Sequence, residues 1–175
     1  MYRALLLTGV AGVGKSTVAD ALGRVLTTAG CVTAVVDTDV LAQFGPPPQA
    51  GGRFYDELKC ANLAAVWANF RAAGAQFIVV AAVIDSPALR ELYAASLAGC
   101  EVRLVRLTAD DEVVGSRLRR RDTGAELDQH LRALRERGLE PAPLTVEDLT
   151  VANDRAVDEV AQEILVRTGW ADEAA

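Results

Sequence analysis

Eight residues near the start of the chain, Gly9-Val10-Ala11-Gly12-Val13-Gly14-Lys15-Ser16, fit the pattern GxxxxGK[ST]. They follow the apolar run Ala4 to Leu7 and precede a segment whose Val18, Leu22, Val25 and Leu26 fall on one helical face. A strand, a glycine-rich turn and a helix in that order cradle phosphate. The glycines let backbone N–H groups curl around the oxygens, and the helix N-terminus adds partial positive charge. Gly9, Val10, Ala11, Gly12, Val13, Gly14 and Thr17 are the expected cradle, Lys15 is expected on the β- and γ-phosphates, and Ser16 on Mg²⁺. The chain has only two lysines, Lys15 and Lys59, and otherwise carries its positive charge on arginine, so Lys15 is a placed residue.

The rest of the chain repeats the same alternation. Strand candidates are Ala4 to Thr8, Val32 to Asp37, Phe77 to Ile84, Val102 to Leu107 and Leu149 to Ala152, most without polar alternation, as in parallel strands buried on both faces. Between them Leu63, Val66, Trp67 and Phe70 share a helical face, as do Val157, Val160, Ile164 and Leu165. Gly30 and Gly74 sit where helices should end, and Ser86-Pro87 opens a helix running through Leu92. This is α/β patterning, a parallel sheet covered by helices on both sides with ligands at the carboxyl ends of the strands. At 175 residues one domain, 1–175, is expected. With 51% hydrophobic but only 5% aromatic residues, its core must be built mainly from Ala, Val and Leu.

A net charge of −6 opposes a broad surface for nucleic acid or anionic lipid. Cys31, Cys60 and Cys100 lack a CxxC spacing and read as reduced thiols, and the sole histidine, His130, has no Cys or His neighbours at metal-ligand spacing and receives no role. No run approaches a signal-peptide core or a membrane span, so a cytoplasmic protein without membrane or nucleic-acid partners is expected.

A phosphate loop leaves the receiver of the phosphoryl group open. A guanine-reading Asn-Lys-x-Asp motif has no place in a chain with lysine only at 15 and 59, and the run Phe77 to Ile84 ends in Asp85-Ser86 where a large ATP-driven machine would carry Asp-Glu. What remains is small-molecule phosphoryl transfer. The loop followed by Val35-Val36-Asp37-Thr38-Asp39 resembles the DxD arrangement of the shikimate, gluconate and adenylylsulfate kinases. The resemblance covers nearly the whole chain after Tyr2 and implies a five-stranded P-loop fold in the order 2-3-1-4-5. It also implies ATP and Mg²⁺ as cofactors and a small hydroxyl-bearing acceptor, with Asp37 in the metal shell and Asp39 on the acceptor, possible base included. Read from the residues alone, Asp37 also suits a strand-end turn and Asp39 a helix N-cap.

Lys59-Cys60-Ala61-Asn62 is similar to the Arg-x-x-Asn stretch of adenylylsulfate kinases, with lysine replacing the arginine, which implies that Lys59 and Asn62 face the acceptor. Lys59 alone also reads as a solvated surface lysine. The proline-rich loop from Phe44 to Tyr55 lies where an acceptor segment belongs, with Phe54 and Tyr55 as pocket walls, and Asp85 either contacts the acceptor or caps the following helix. From Arg117 to Arg121 four of five residues are arginine, which looks like the lid of nucleotide and shikimate kinases over about 117–137. That implies charge neutralisation by Arg117 and Arg121 and base stacking by Arg117 or Arg119; the bland alternative is a solvated helix face paired with Asp110, Asp111 and Glu112. Asn153 and Asp154, after the last strand, resemble the loop that holds the base of ATP. The reading is an ATP-dependent kinase, monomeric or homodimeric. A regulatory nucleotide-binding protein and a nucleoside or antibiotic phosphotransferase are the alternatives.

Overall fold

The structure is a computed structural model and describes residues 1–45, 54–136 and 146–170. Along the chain it runs β1 (Tyr2–Thr8), α1 (Lys15–Thr28), β2 (Thr33–Asp37), a 3-10 turn (Val40–Ala42), α2 (Phe54–Ala72), β3 (Phe77–Ala81), α3 (Pro87–Ser96) and β4 (Cys100–Thr108). It continues with α4 (Asp111–Arg121), α5 (Gly124–Glu136), β5 (Leu149–Ala152) and α6 (Val157–Thr168). The five strands pair in parallel in the order β2-β3-β1-β4-β5, as the resemblance implied.

The lack of polar alternation in the strands has a direct cause, a core on each face. Leu5, Leu7, Val79, Ala81, Val105 and Leu107 point to one side, onto α1 and α6 through Val18, Leu22, Val160 and Ile164. Ala4, Leu6, Ile78, Val80 and Leu104 point to the other, onto Leu63 and Trp67 of α2 and Leu89 and Tyr93 of α3. Close approach is what small residues permit: a Cβ at Gly23 of α1 would stand 2.4 Å from Val35 Cγ2 of β2. The helix ends are marked as expected, with positive φ at Gly30 and Gly74 and the Ser86 side chain capping α3 ahead of Pro87.

Several strand ends shift from the apolar runs: β1 begins two residues earlier, at Tyr2, β2 one residue later, at Thr33, and β3 and β4 change most. β3 leaves the ladder at Ala81, not Ile84, because its neighbour β2 ends at Asp37 opposite Ala81. Beyond that point Ala82 and Ile84 stay buried while Val83 is exposed, and the segment is stitched to β1: Ala82 N donates to Leu7 O at 3.0 Å, while Ile84 N donates to Thr8 Oγ1 at 2.8 Å and Thr8 Oγ1 to Ile84 O at 3.0 Å. β4 is longer than the apolar run, since its N-terminal end pairs with β1 from Tyr2↔Cys100 onward. All of these strands deliver their carboxyl ends to one edge, where β1, β2 and β3 release the phosphate loop, the Asp37-Thr38-Asp39 turn and the Asp85 loop side by side.

Candidate functional site

The loop between β1 and α1 is a shape only glycine can hold. Gly9, Gly12 and Gly14 have φ of +139°, +79° and +104°, and a Cβ on them would meet Leu107 O at 2.6 Å, the Leu118 side chain at 2.8 Å and Asn153 Nδ2 at 2.4 Å. Buried Val13 pins the loop to the core, and its carbonyl accepts from Asn153 Nδ2 at 2.7 Å and Arg117 Nη1 at 3.0 Å. Lys15 Nζ folds back over the loop onto the carbonyls of Gly9 and Val10, at 3.0 and 3.1 Å. Burial lowers its pKa, opposed by the nearby carboxylates of Asp39 and Asp37. A ring of backbone donors around a lysine at a helix N-terminus suits a polyphosphate, and its lack of room for side chains leaves the backbone accessible.

Beside this loop, the end of β2 and the turn after it carry two outward carboxylates separated by an inward Thr38. Thr38 is fully buried and donates to Ala81 O at 3.0 Å, while the turn after β2, with Asp39 at φ −67° and ψ −30°, brings Asp37 and Asp39 to the same cavity on the loop side. Ser16 Oγ donates to Asp37 Oδ2, and Asp37 Oδ1 accepts from Asp39 N at 2.9 Å. A hydroxyl and a carboxylate in contact beside the cradle form a hard oxygen donor set that fits Mg²⁺, with room for phosphate oxygens and waters. Asp39 Oδ1 is 2.6 Å from Lys59 Nζ, so the implied acceptor pair meets in the fold as an ion pair. Asn62 instead donates to Leu41 O at 2.6 Å and Tyr55 OH to Phe44 O at 3.1 Å, which ties α2 to the turn after β2. Tyr93, whose hydroxyl lies 3.4 Å from Thr38 Oγ1, backs this turn, and burial pushes it up to about 12. Phe54 opens α2, but its side chain, like residues 46–53 of the proline-rich loop, lies outside the described residues.

The arginine run divides its work. Arg117 forks between Val13 O and Asn153 O, both at 3.0 Å, bracing the loop against the end of β5. Arg121 reaches the cavity and is held by Asp122, from Nε to Oδ1 at 2.5 Å and from Nη2 to Oδ2 at 3.1 Å. Arg119 and Arg120 are exposed, the latter on Ser116 Oγ at 2.9 Å, and neither lines the cavity that Arg117 and Arg121 reach. Asp122 is buried and also bonds His130 Nδ1 at 2.7 Å. The hydrogen bonds from Arg121 hold Asp122 down at about 2 against the opposing effect of burial, with His130 adding to them.

These groups line one cavity of about 740 Å³ that takes in Lys15, Ser16, Asp37, Asp39, Arg117, Arg121 and Asn153. Asp154 is exposed and is not in its lining; Arg155 is. A second cavity of about 400 Å³ lies between the phosphate loop and α5, lined by Val10, Ala11, Asp85, His130, Ala133, Leu134 and Glu136, and it shares Ala11 and His130 with the first. Lys59, Asn62 and Tyr55 line neither. Sequence reading missed Glu126, His130, Arg155 and Val157, which belong to no motif; α5 brings in the first two by folding back over the loop. Asp122, Glu126 and His130 offer donor atoms within 4.8 Å of one another, but both oxygens of Asp122 are already engaged by Arg121 and His130.

The fold has close relatives in shape. It is similar to a gluconokinase from Sinorhizobium meliloti 1021 (23% identity, 98% of this chain and 93% of that one, TM-score 0.61). It is similar to the Mycobacterium tuberculosis APS kinase CysC in complex with AMPPNP and APS (24%, 96% and 98%, TM-score 0.63) and to shikimate kinase from Bacteroides thetaiotaomicron (18%, 95% and 98%, TM-score 0.61). No curated protein sequence matches the chain. The family model described as AAA domain matches residues 5–140, which span the phosphate loop, both outward aspartates and the arginine helix: the chain belongs to that family.

Proposed function

We propose that the protein is an ATP- and Mg²⁺-dependent kinase that transfers the γ-phosphoryl group to a hydroxyl of a small acceptor. The observation that carries this reading is the contact of Ser16 with Asp37 beside Lys15, in one cavity with Arg121 and Asp39. A switch or a binding module has no need of a second carboxylate two residues beyond the metal-side one. Ser16 and Asp37 would hold Mg²⁺, which would supply positive charge to offset that of the phosphates. Backbone N–H groups of Gly12 to Lys15 would orient the triphosphate, Lys15 and Arg121 would face charge that builds on the transferred group, and Asp39, held by Lys59, would border the acceptor from the first cavity. A bound phosphate would draw Lys15 Nζ off the Gly9 and Val10 carbonyls and hold it charged.

The acceptor class rests on the likeness to kinases of small metabolites and on the size of the second cavity. A mass-spectrometric screen of hydroxylated metabolites, nucleosides and antibiotics with ATP and Mg²⁺ tests it. One acceptor should gain a single phosphoryl group with the parent protein, and Lys15→Ala should lose at least about 100-fold of that rate. Equal rates for Lys15→Ala and parent would remove the phosphate-loop mechanism. Tight ATP binding without any transfer would favour a regulatory nucleotide-binding protein.

A further inference from the structure

His130 is the chain's only histidine, and it sits where the two cavities meet. Its Nδ1 is 2.7 Å from Oδ2 of Asp122, a carboxylate whose side chain is 3% exposed. That carboxylate is ionised and accepts only, so Nδ1 carries the hydrogen whether the ring is neutral or charged. In the neutral ring the lone pair is therefore on Nε2, and no described residue bonds it. A carboxylate that fixes one nitrogen and leaves the other basic is the arrangement that orients histidine bases elsewhere. The two aspartates that a sequence reading puts forward are already engaged, Asp37 by Ser16 and the Asp39 amide, Asp39 by Lys59.

We infer that His130, oriented by buried Asp122, is the base that takes the proton of the acceptor hydroxyl at the junction of the nucleotide cavity and the second cavity. The inference rests on the kinase reading. The acceptor O–H proton goes to Nε2 as its oxygen bonds the γ-phosphorus. The bond from that phosphorus to the β,γ-bridging oxygen breaks, and its electron pair leaves on ADP. The imidazolium then returns its proton to water. Asp122 is a positioning residue. The charged groups around the ring are Arg121 and Asp122 from α4 and its end, Glu126 and Glu136 from α5, and Asp85 after β3. Lys15, Asp37, Asp39, Arg117 and Arg155 line the nucleotide side.

The test is ADP release from MgATP, with water and with pooled hydroxylated metabolites as acceptors, between about pH 5 and 9. The single imidazole is titrated by NMR on the same protein. In the parent, kcat should fall about tenfold per pH unit below the midpoint that His130 itself shows. His130→Asn, whose amide can still donate to Asp122, should lose about 100-fold or more in kcat and lose the acid limb, while Kd for ATP stays within about twofold. A His130→Asn protein with the parent's rate and limb overturns the assignment, and so does a parent limb that does not coincide with the imidazole midpoint, a comparison that needs no variant to fold. A parent that binds ATP and releases no ADP with either acceptor overturns the kinase reading, and this assignment with it.

Discussion

Gly14 shows how little freedom single residues have at this site. Its φ of +104° and the 2.4 Å approach of Asn153 Nδ2 to a would-be Cβ act together, so Gly14→Ala meets both backbone strain and a clash. We expect a loss of about 1–3 kcal/mol in urea unfolding, together with weaker ATP binding; unchanged stability would mean the loop is looser than its hydrogen bonds imply. Asp122 makes a prediction in pH. Its folded carboxyl titrates at about 2, below the ordinary value of about 3.9 in an unfolded chain, so its contribution is present in full above about pH 4 and is lost as pH falls through about 2. Asp122→Asn should lower the urea midpoint near neutrality and flatten its decline between about pH 4 and 2. The parent and variant curves measured side by side check the sign.

At the scale of elements, α4 is the strut of the phosphate loop. It enters through Val114 and Leu118 in the core, and Arg117 then bridges Val13 and Asn153, so one helix ties the β1–α1 loop to the end of β5. Arg117→Ala should weaken ATP binding by about 10-fold and cost about 1.5–3 kcal/mol of stability, since both bonds come from a charged donor. Arg117→Lys should recover little, because an ammonium cannot fork to two carbonyls in one plane. Calorimetric titration with ATP of the three proteins distinguishes this bracing role from a charge that only a phosphate would feel, which lysine would largely restore. A helix with four arginines in its last five residues announced a cation-rich element. Which arginine turned inward depended on where Val13 O and Asn153 O lay, and the sequence has no record of that.

For the molecule as a whole, the two-sided sheet decides stability. Trp170 follows the left-handed Gly169 that ends α6, and it seals the α1–α6 core against Phe77 with ring centroids 5.4 Å apart. Trp170→Ala should cost about 3–5 kcal/mol, read as a lower thermal midpoint with nucleotide affinity nearly unchanged, because the residue lies away from the site's lining. Strand identity, parallel pairing, helix faces and the phosphate cradle were legible in local pattern, because period and glycine placement are properties of neighbouring residues. Asp37 and Asp39 were legible as an acidic pair at the end of an apolar run, but β2 stops at Asp37 and it is the turn after it, not a strand period, that sets both on the loop side. Lys59 and Asp39 lie 20 residues apart, Asp122 and His130 stand on either side of a helix break, and Arg155 follows the last strand. No spacing rule connects these groups. The sequence by itself determined a parallel α/β sheet with a glycine-rich loop of phosphate-cradle pattern and an acidic pair at its edge. The tertiary structure alone decided that Asn62 and Arg117 brace the site's backbone, and that the one histidine closes over the loop, since such contacts arise only when helices distant in sequence fold onto the same edge of the sheet.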